Sequence, residues 1–149
     1  MSEFNREKRL RTRSVNGTLA LGELMTELLL PPKLVVLRGD LGAGKTTLVK
    51  GMAAALGASA EDVSSPTFTL VQEYKGRRTR LIHLDVYRLE EEREVEGLGL
   101  WEMADAADAL IVVEWGEKFS NIMARADAEI AMEPGENETE RLLQVRWRD

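Results

Sequence analysis

The chain has 149 residues, 44% hydrophobic and 31% charged, with a formal net charge of −6 and a pI near 5.0. A single domain is expected from that length, and the composition excludes several classes: no apolar run approaches the ~20 residues of a membrane span, and the acidic balance argues against non-specific nucleic-acid binding. Cysteine is absent and histidine occurs once, which rules out disulfides and thiolate metal sites and leaves Mg²⁺ held by oxygen as the metal to expect.

The N-terminal residues Arg6, Lys8, Arg9, Arg11 and Arg13 lack the apolar core of a secretory signal, so a cytoplasmic protein is expected, with this basic stretch as a solvated, partly frayed end. A short strand is expected over 10–14. Ser14 then caps a helix whose apolar face is Leu19, Leu21, Leu24, Met25 and Leu28, and Pro31 and Pro32 end it. Lys33-Leu34-Val35-Val36-Leu37-Arg38 is a short apolar run stopped by a glycine and reads as a buried strand.

The next eight residues carry the chemistry. Gly39-Asp40-Leu41-Gly42-Ala43-Gly44-Lys45-Thr46 fits the phosphate-binding pattern G-x-x-x-x-G-K-[ST], placed between a strand and a helix as such a loop must be. Its glycines let successive N–H groups from Asp40 through Thr47 face one concavity. Lys45 reaches the β/γ-phosphates, and the Thr46 hydroxyl is placed for Mg²⁺. A helix over 46–56 puts Leu48, Val49, Met52 and Leu56 on one face and stops at Gly57.

A polar link over 58–65 leads to Pro66, after which 67–74 and 79–86 read as two strands around the turn Lys75-Gly76-Arg77-Arg78. A hairpin directly after the first strand-helix unit implies a mixed sheet. Residues 90–96 and 98–107 read as short helical surface connections broken at Gly97 and Gly99. The wholly apolar Ala109-Leu110-Ile111-Val112-Val113-Glu114 belongs in the sheet centre, and 128–133 with 141–147 form a terminal hairpin. The fold class is therefore α/β, a P-loop NTPase fold with a mixed parallel and antiparallel central sheet flanked by helices.

Ligands gather beyond the carboxyl ends of strands in open α/β sheets, which selects Asp85 and Glu114, each closing an apolar run, as acidic residues for Mg²⁺ and water control. The residues alone do not choose between them. His83 lies within its strand and reads as a satisfied core histidine, with no catalytic role assigned. Trp115, directly after Glu114, is a packing residue that can wall the site.

The phosphate loop, together with Ser65-Pro66-Thr67-Phe68-Thr69-Leu70-Val71, His83-Leu84-Asp85-Val86-Tyr87-Arg88-Leu89 and Val113-Glu114-Trp115, resembles the bacterial TsaE family over residues 14–119. That resemblance implies a small P-loop ATPase needed to form N6-threonylcarbamoyladenosine at position 37 of tRNAs, acting with the TsaB and TsaD proteins, with any tRNA contact indirect. It further implies Lys45 on phosphate, Thr46 and Glu114 as Mg²⁺ ligands, Asp85 as the second acidic residue, Thr67 as a residue sensing the γ-phosphate, and the region from Ser14 to Thr18 near the adenine. The competing readings are a P-loop small-molecule kinase, which would need an arginine-rich lid, and a non-catalytic nucleotide-dependent binding module. A GTPase would need an Asn-Lys-x-Asp segment, which the sequence lacks.

Overall fold

The computed structural model describes residues 4–40, 43–59 and 71–148. In chain order the elements are β1 (Arg6–Thr12), α1 (Val15–Leu28), β2 (Lys33–Arg38), α2 (Lys45–Leu56), β3 (Val71–Lys75), β4 (Arg80–Asp85), α3 (Glu92–Gly97), α4 (Leu100–Ala104), β5 (Ala109–Glu114), α5 (Ser120–Arg125), β6 (Ala128–Pro134) and β7 (Arg141–Trp147), with a 3-10 turn at Gly116–Lys118. One seven-stranded sheet runs in the order β1-β7-β6-β2-β5-β4-β3. Its centre is parallel, with β2 between β5 and β6 and β4 beside β5. The hairpins β3/β4 and β6/β7 and the edge pair β1/β7 are antiparallel. The mixed sheet follows from the two short turns, which can join only antiparallel neighbours.

Every residue of β5 is buried, as expected for a continuous apolar strand covered on both faces. On one face Val35, Leu37, Leu81 and Val112 pack against Met25 and Met52 of α1 and α2. On the other, Val36, Leu84 and Val113 meet Val95, Leu100 and Ile122 of the short helices. The segments over 90–107 are thus more than surface connections: their Val95 and Leu100 are fully buried and cover the second face of the sheet. The helix α5 has no counterpart in the sequence reading.

Two further expectations are corrected. The first strand starts at Arg6, not at Leu10, and pairs along its length with β7. The basic stretch is therefore ordered sheet edge rather than frayed end. Charged side chains suit an edge strand, which they protect from pairing with other chains, and that is why apolar content did not reveal it.

Ser14 does cap α1, its Oγ accepting from Gly17 N at 2.9 Å. The buried face of that helix, however, is Thr18, Gly22, Met25 and Thr26, while Leu24 and Leu28 are 50% and 68% exposed. The cause is the crossing with α2. A Cβ on Gly22 would lie 2.3 Å from Leu48 O, and one on Gly51 would lie 2.1 Å from Leu19 O. The helices touch backbone to backbone, and glycines that permit this add nothing to an apolar periodicity. No described helix is long and apolar enough to cross a membrane.

Candidate functional site

The strand β2 ends at Arg38, and the chain turns through Gly39 and Asp40 to reach α2 at Lys45. Only glycine fits at the first of these, because a Cβ there would stand 2.7 Å from Met132 O on β6. Asp40 is exposed, and its carbonyl accepts from Ala43 N at 3.0 Å. Gly44 is the N-cap, with φ 98° in the left-handed region that glycine adopts without strain. No side chain caps α2 and no acidic residue sits in its first turn, so its leading amides and the positive end of its dipole are open to an anion. Lys45, Thr46 and Thr47, all half-buried, form that first turn. Leu41, Gly42 and Thr67 lie outside the described residues, as does most of the expected link and strand over 60–70.

The sheet brings the acidic candidates to the same place. In the parallel pair β4/β5, Asp85 stands opposite Glu114 at the carboxyl ends of both strands. Asp85 and Glu114 are both buried. Asp85 Oδ1 accepts from Tyr87 N at 2.9 Å, which tightens the chain as it leaves β4. Glu114 makes the central contacts: Lys45 Nζ lies 3.0 Å from its Oε1, and His83 Nε2 lies 2.6 Å from its Oε2. Lys45 Nζ also donates to Gly39 O at 2.6 Å, folding the lysine back over its own loop.

His83 is the residue sequence reasoning undervalued. It is fully buried, as expected of a core histidine, but its partner is Glu114 itself. The signal was present in the alternation of β4, since His83 and Asp85, two residues apart, share a face. What the sequence could not supply was the register that sets β5 beside β4.

Trp115 walls the site, its ring centroid 5.8 Å from Lys45 Nζ and 4.9 Å from that of Tyr87. Trp115 has φ 66°, a conformation that costs a non-glycine residue about 1–2 kcal/mol and that turns the chain sharply after Glu114. Lys118 Nζ donates to Tyr87 O at 2.5 Å and Leu89 O at 3.0 Å, tying the turn after β4 to the one after β5. Arg88 lies exposed on the former turn.

The Glu114 carboxyl is held below its ordinary value of 4.5: burial pushes it up, but the hydrogen bond from His83 and the charges of His83 and Lys45 outweigh burial. A folded-state value below the unfolded one means stability that is present above the unfolded value and lost as pH falls through the folded one. Urea unfolding at stepped pH should therefore show the wild-type chain losing stability below about pH 4.5 more steeply than Glu114→Gln. Equal slopes would contradict the assignment.

Among the described residues no group of three or more His, Cys, Asp or Glu forms a metal cage. Asp85 and Glu114, opposite one another at the strand ends, offer hard oxygens, the donor type that suits Mg²⁺ when a substrate's phosphates supply further ligands, and the hydroxyl-bearing Thr46 stands in the first turn of α2.

A family model described as threonylcarbamoyl adenosine biosynthesis protein TsaE matches residues 12–143. The chain belongs to the TsaE family. Among proteins of that family, the tRNA threonylcarbamoyladenosine biosynthesis protein TsaE of Nostoc sp. is 46% identical over 105 residues, which are 68% of this chain and 64% of that protein. The Bacillus subtilis protein of the same name is 38% identical over 136 residues, 89% of this chain and 84% of its own length. The crystal structure of Bacillus subtilis YdiB superposes with a TM-score of 0.74 at 28% identity, covering 99% of this chain and 90% of that one. The mixed α/β architecture of the P-loop type is thus shared with a solved structure, and the TsaE family ties the chain to threonylcarbamoyladenosine biosynthesis.

Proposed function

We propose that the chain binds Mg-ATP and hydrolyses it to ADP and phosphate in support of threonylcarbamoyladenosine formation at position 37 of tRNAs, acting with TsaB and TsaD. The observation that carries this reading is the Lys45–Glu114 contact at 3.0 Å across the uncapped start of α2. It joins a phosphate-seeking ammonium to a carboxylate at a strand end, the two charges that phosphoryl transfer to water requires on opposite sides of the reacting group.

In this reading the amides of Asp40 through Thr47 cradle the phosphates, including those of Leu41 and Gly42, and Lys45 leaves Gly39 O and Glu114 for the β/γ oxygens. Thr46 and Glu114 hold Mg²⁺, with Asp85 as the second carboxylate. The ion supplies neutralisation of the phosphate charge. Trp115 and Tyr87 exclude water from one side, and Thr67 senses the γ-phosphate. An acidic residue at the strand ends, or Thr67, positions the attacking water. A P-loop ATPase with few groups of its own for transition-state charge works slowly alone, and contact with TsaB and TsaD raises its rate. The cytoplasm, where tRNA and ATP meet, is its site of action.

Reconstitution tests this reading. With TsaB, TsaD, tRNA, threonine, bicarbonate and ATP, adding the chain should convert a limited first round of modification into repeated turnover, while Glu114→Gln should bind nucleotide yet fail to support it. Full support from Glu114→Gln would indicate a binding module, and label transferred from ATP to an acceptor other than water would indicate a kinase.

A further inference from the structure

Glu114 is gripped from both sides, and the two grips differ in kind. Lys45 takes Oε1 from the first residue of α2, at the end of a long side chain that is 11% exposed and already divides its hydrogen bonds with Gly39 O. His83 takes Oε2 at 2.6 Å from the middle of a buried strand and is wholly inaccessible. A carboxylate facing the Lys45 ammonium at 3.0 Å can only accept. His83 Nε2 must therefore carry the proton of that bond. Its other nitrogen, Nδ1, is buried and has no hydrogen-bond partner among the described residues, so the ring is anchored on the sheet side by packing alone and its one polar tie is to Glu114.

We infer that His83 is a positioning residue: it holds Glu114 Oε2 fixed when the arriving phosphates draw Lys45 away, so that Oε1 is released toward the nucleotide in a set direction. The inference rests on the Mg-ATP reading above. Without His83 the carboxylate, losing Lys45 on nucleotide binding, would be free to rotate or to follow the lysine toward the phosphates. With it, departure of the lysine changes which oxygen is available without moving the carboxyl group. His83 touches neither phosphate nor water in this scheme, and it acts only through Glu114. Partners of this kind behind a ligating or water-orienting carboxylate are worth about 10–100-fold in activity or metal affinity.

The test uses two variants and one spectroscopic signal. His83→Phe fills the strand position without a donor, and His83→Gln keeps an N–H near the place of Nε2. His83→Phe should lower kcat about 10–100-fold while leaving the calorimetric affinity for ATP without Mg²⁺ within about threefold, and His83→Gln should recover most of the lost rate. A merely structural histidine would give neither the split nor the rescue. Because the chain has one histidine, its ring N–H resonance is assigned without ambiguity. That proton should stay protected from solvent exchange on adding Mg-ADP and should lose protection in Glu114→Gln.

Wild-type turnover in His83→Phe, a His83→Gln as slow as His83→Phe, or loss of ring-proton protection on nucleotide binding would overturn the assignment. If His83→Phe fails to fold, the wild-type ring signal decides. Absence of any ATP binding by the wild-type chain would overturn the parent reading as well, whereas normal binding with an unaffected His83→Phe overturns this inference alone.

Discussion

Replacing Lys45 by alanine is expected to lower kcat/KM for ATP about 10²–10³-fold, the usual loss when one preorganised donor to developing charge is removed. Lys45 reaches both its own loop, through Gly39 O at 2.6 Å, and the acidic end of β5, through Glu114 at 3.0 Å. Steady-state phosphate release measures the loss. The same variant removes one of the positive neighbours that hold the Glu114 carboxyl low. Its folded-state value must then rise toward the ordinary one, and the acid limb of the stability profile below about pH 4.5 should be shallower than in the wild type. Unchanged kinetics together with an unchanged acid limb would show that Lys45 serves neither the phosphate site nor Glu114.

The largest effect on stability should come from Gly51→Ala. The added methyl would stand 2.1 Å from Leu19 O and 2.9 Å from Leu19 C, against backbone rather than a side chain that could turn aside. Overpacking of buried positions typically costs 1–3 kcal/mol and sometimes more. With backbone on both sides we expect about 3 kcal/mol, which for a chain of this size corresponds to roughly 6–12 °C in Tm. Gly22→Ala, meeting Leu48 O at 2.3 Å, should act in the same direction, and the pair should be non-additive because both pry open one crossing. Since α2 starts at Lys45, forcing the helices apart also displaces the phosphate loop, so nucleotide affinity should fall along with Tm. Thermal and urea unfolding measure the first effect. A Tm within about 2 °C of wild type would mean that the crossing relaxes at little cost.

These two positions also show what the sequence discloses and what it hides. The turn from β2 into α2 was legible because glycines stand at its start and at the helix N-cap, and β2 and β5 were legible because strands covered on both faces must be apolar throughout. Glu114 and Asp85 were legible as strand-end carboxylates. Their juxtaposition in register across β4 and β5 was not, nor was the turn of His83 toward Glu114, since pairing between strands far apart in sequence leaves no local mark. The edge strand β1 was hidden by its charges. The packing face of α1 was misread because close helix contact rewards glycine at 22 and 51, whereas apolar periodicity rewards leucines such as Leu24 and Leu28, which the fold leaves exposed.

The proposed function requires the loop before α2 to take the phosphates of ATP. Isothermal titration of the wild-type chain with ATP and Mg²⁺ measures this directly. Saturable heat with one site per chain, weakened by removing Mg²⁺ and abolished in Lys45→Ala, is the predicted result. No heat of binding, or binding that Lys45→Ala leaves intact, would contradict it.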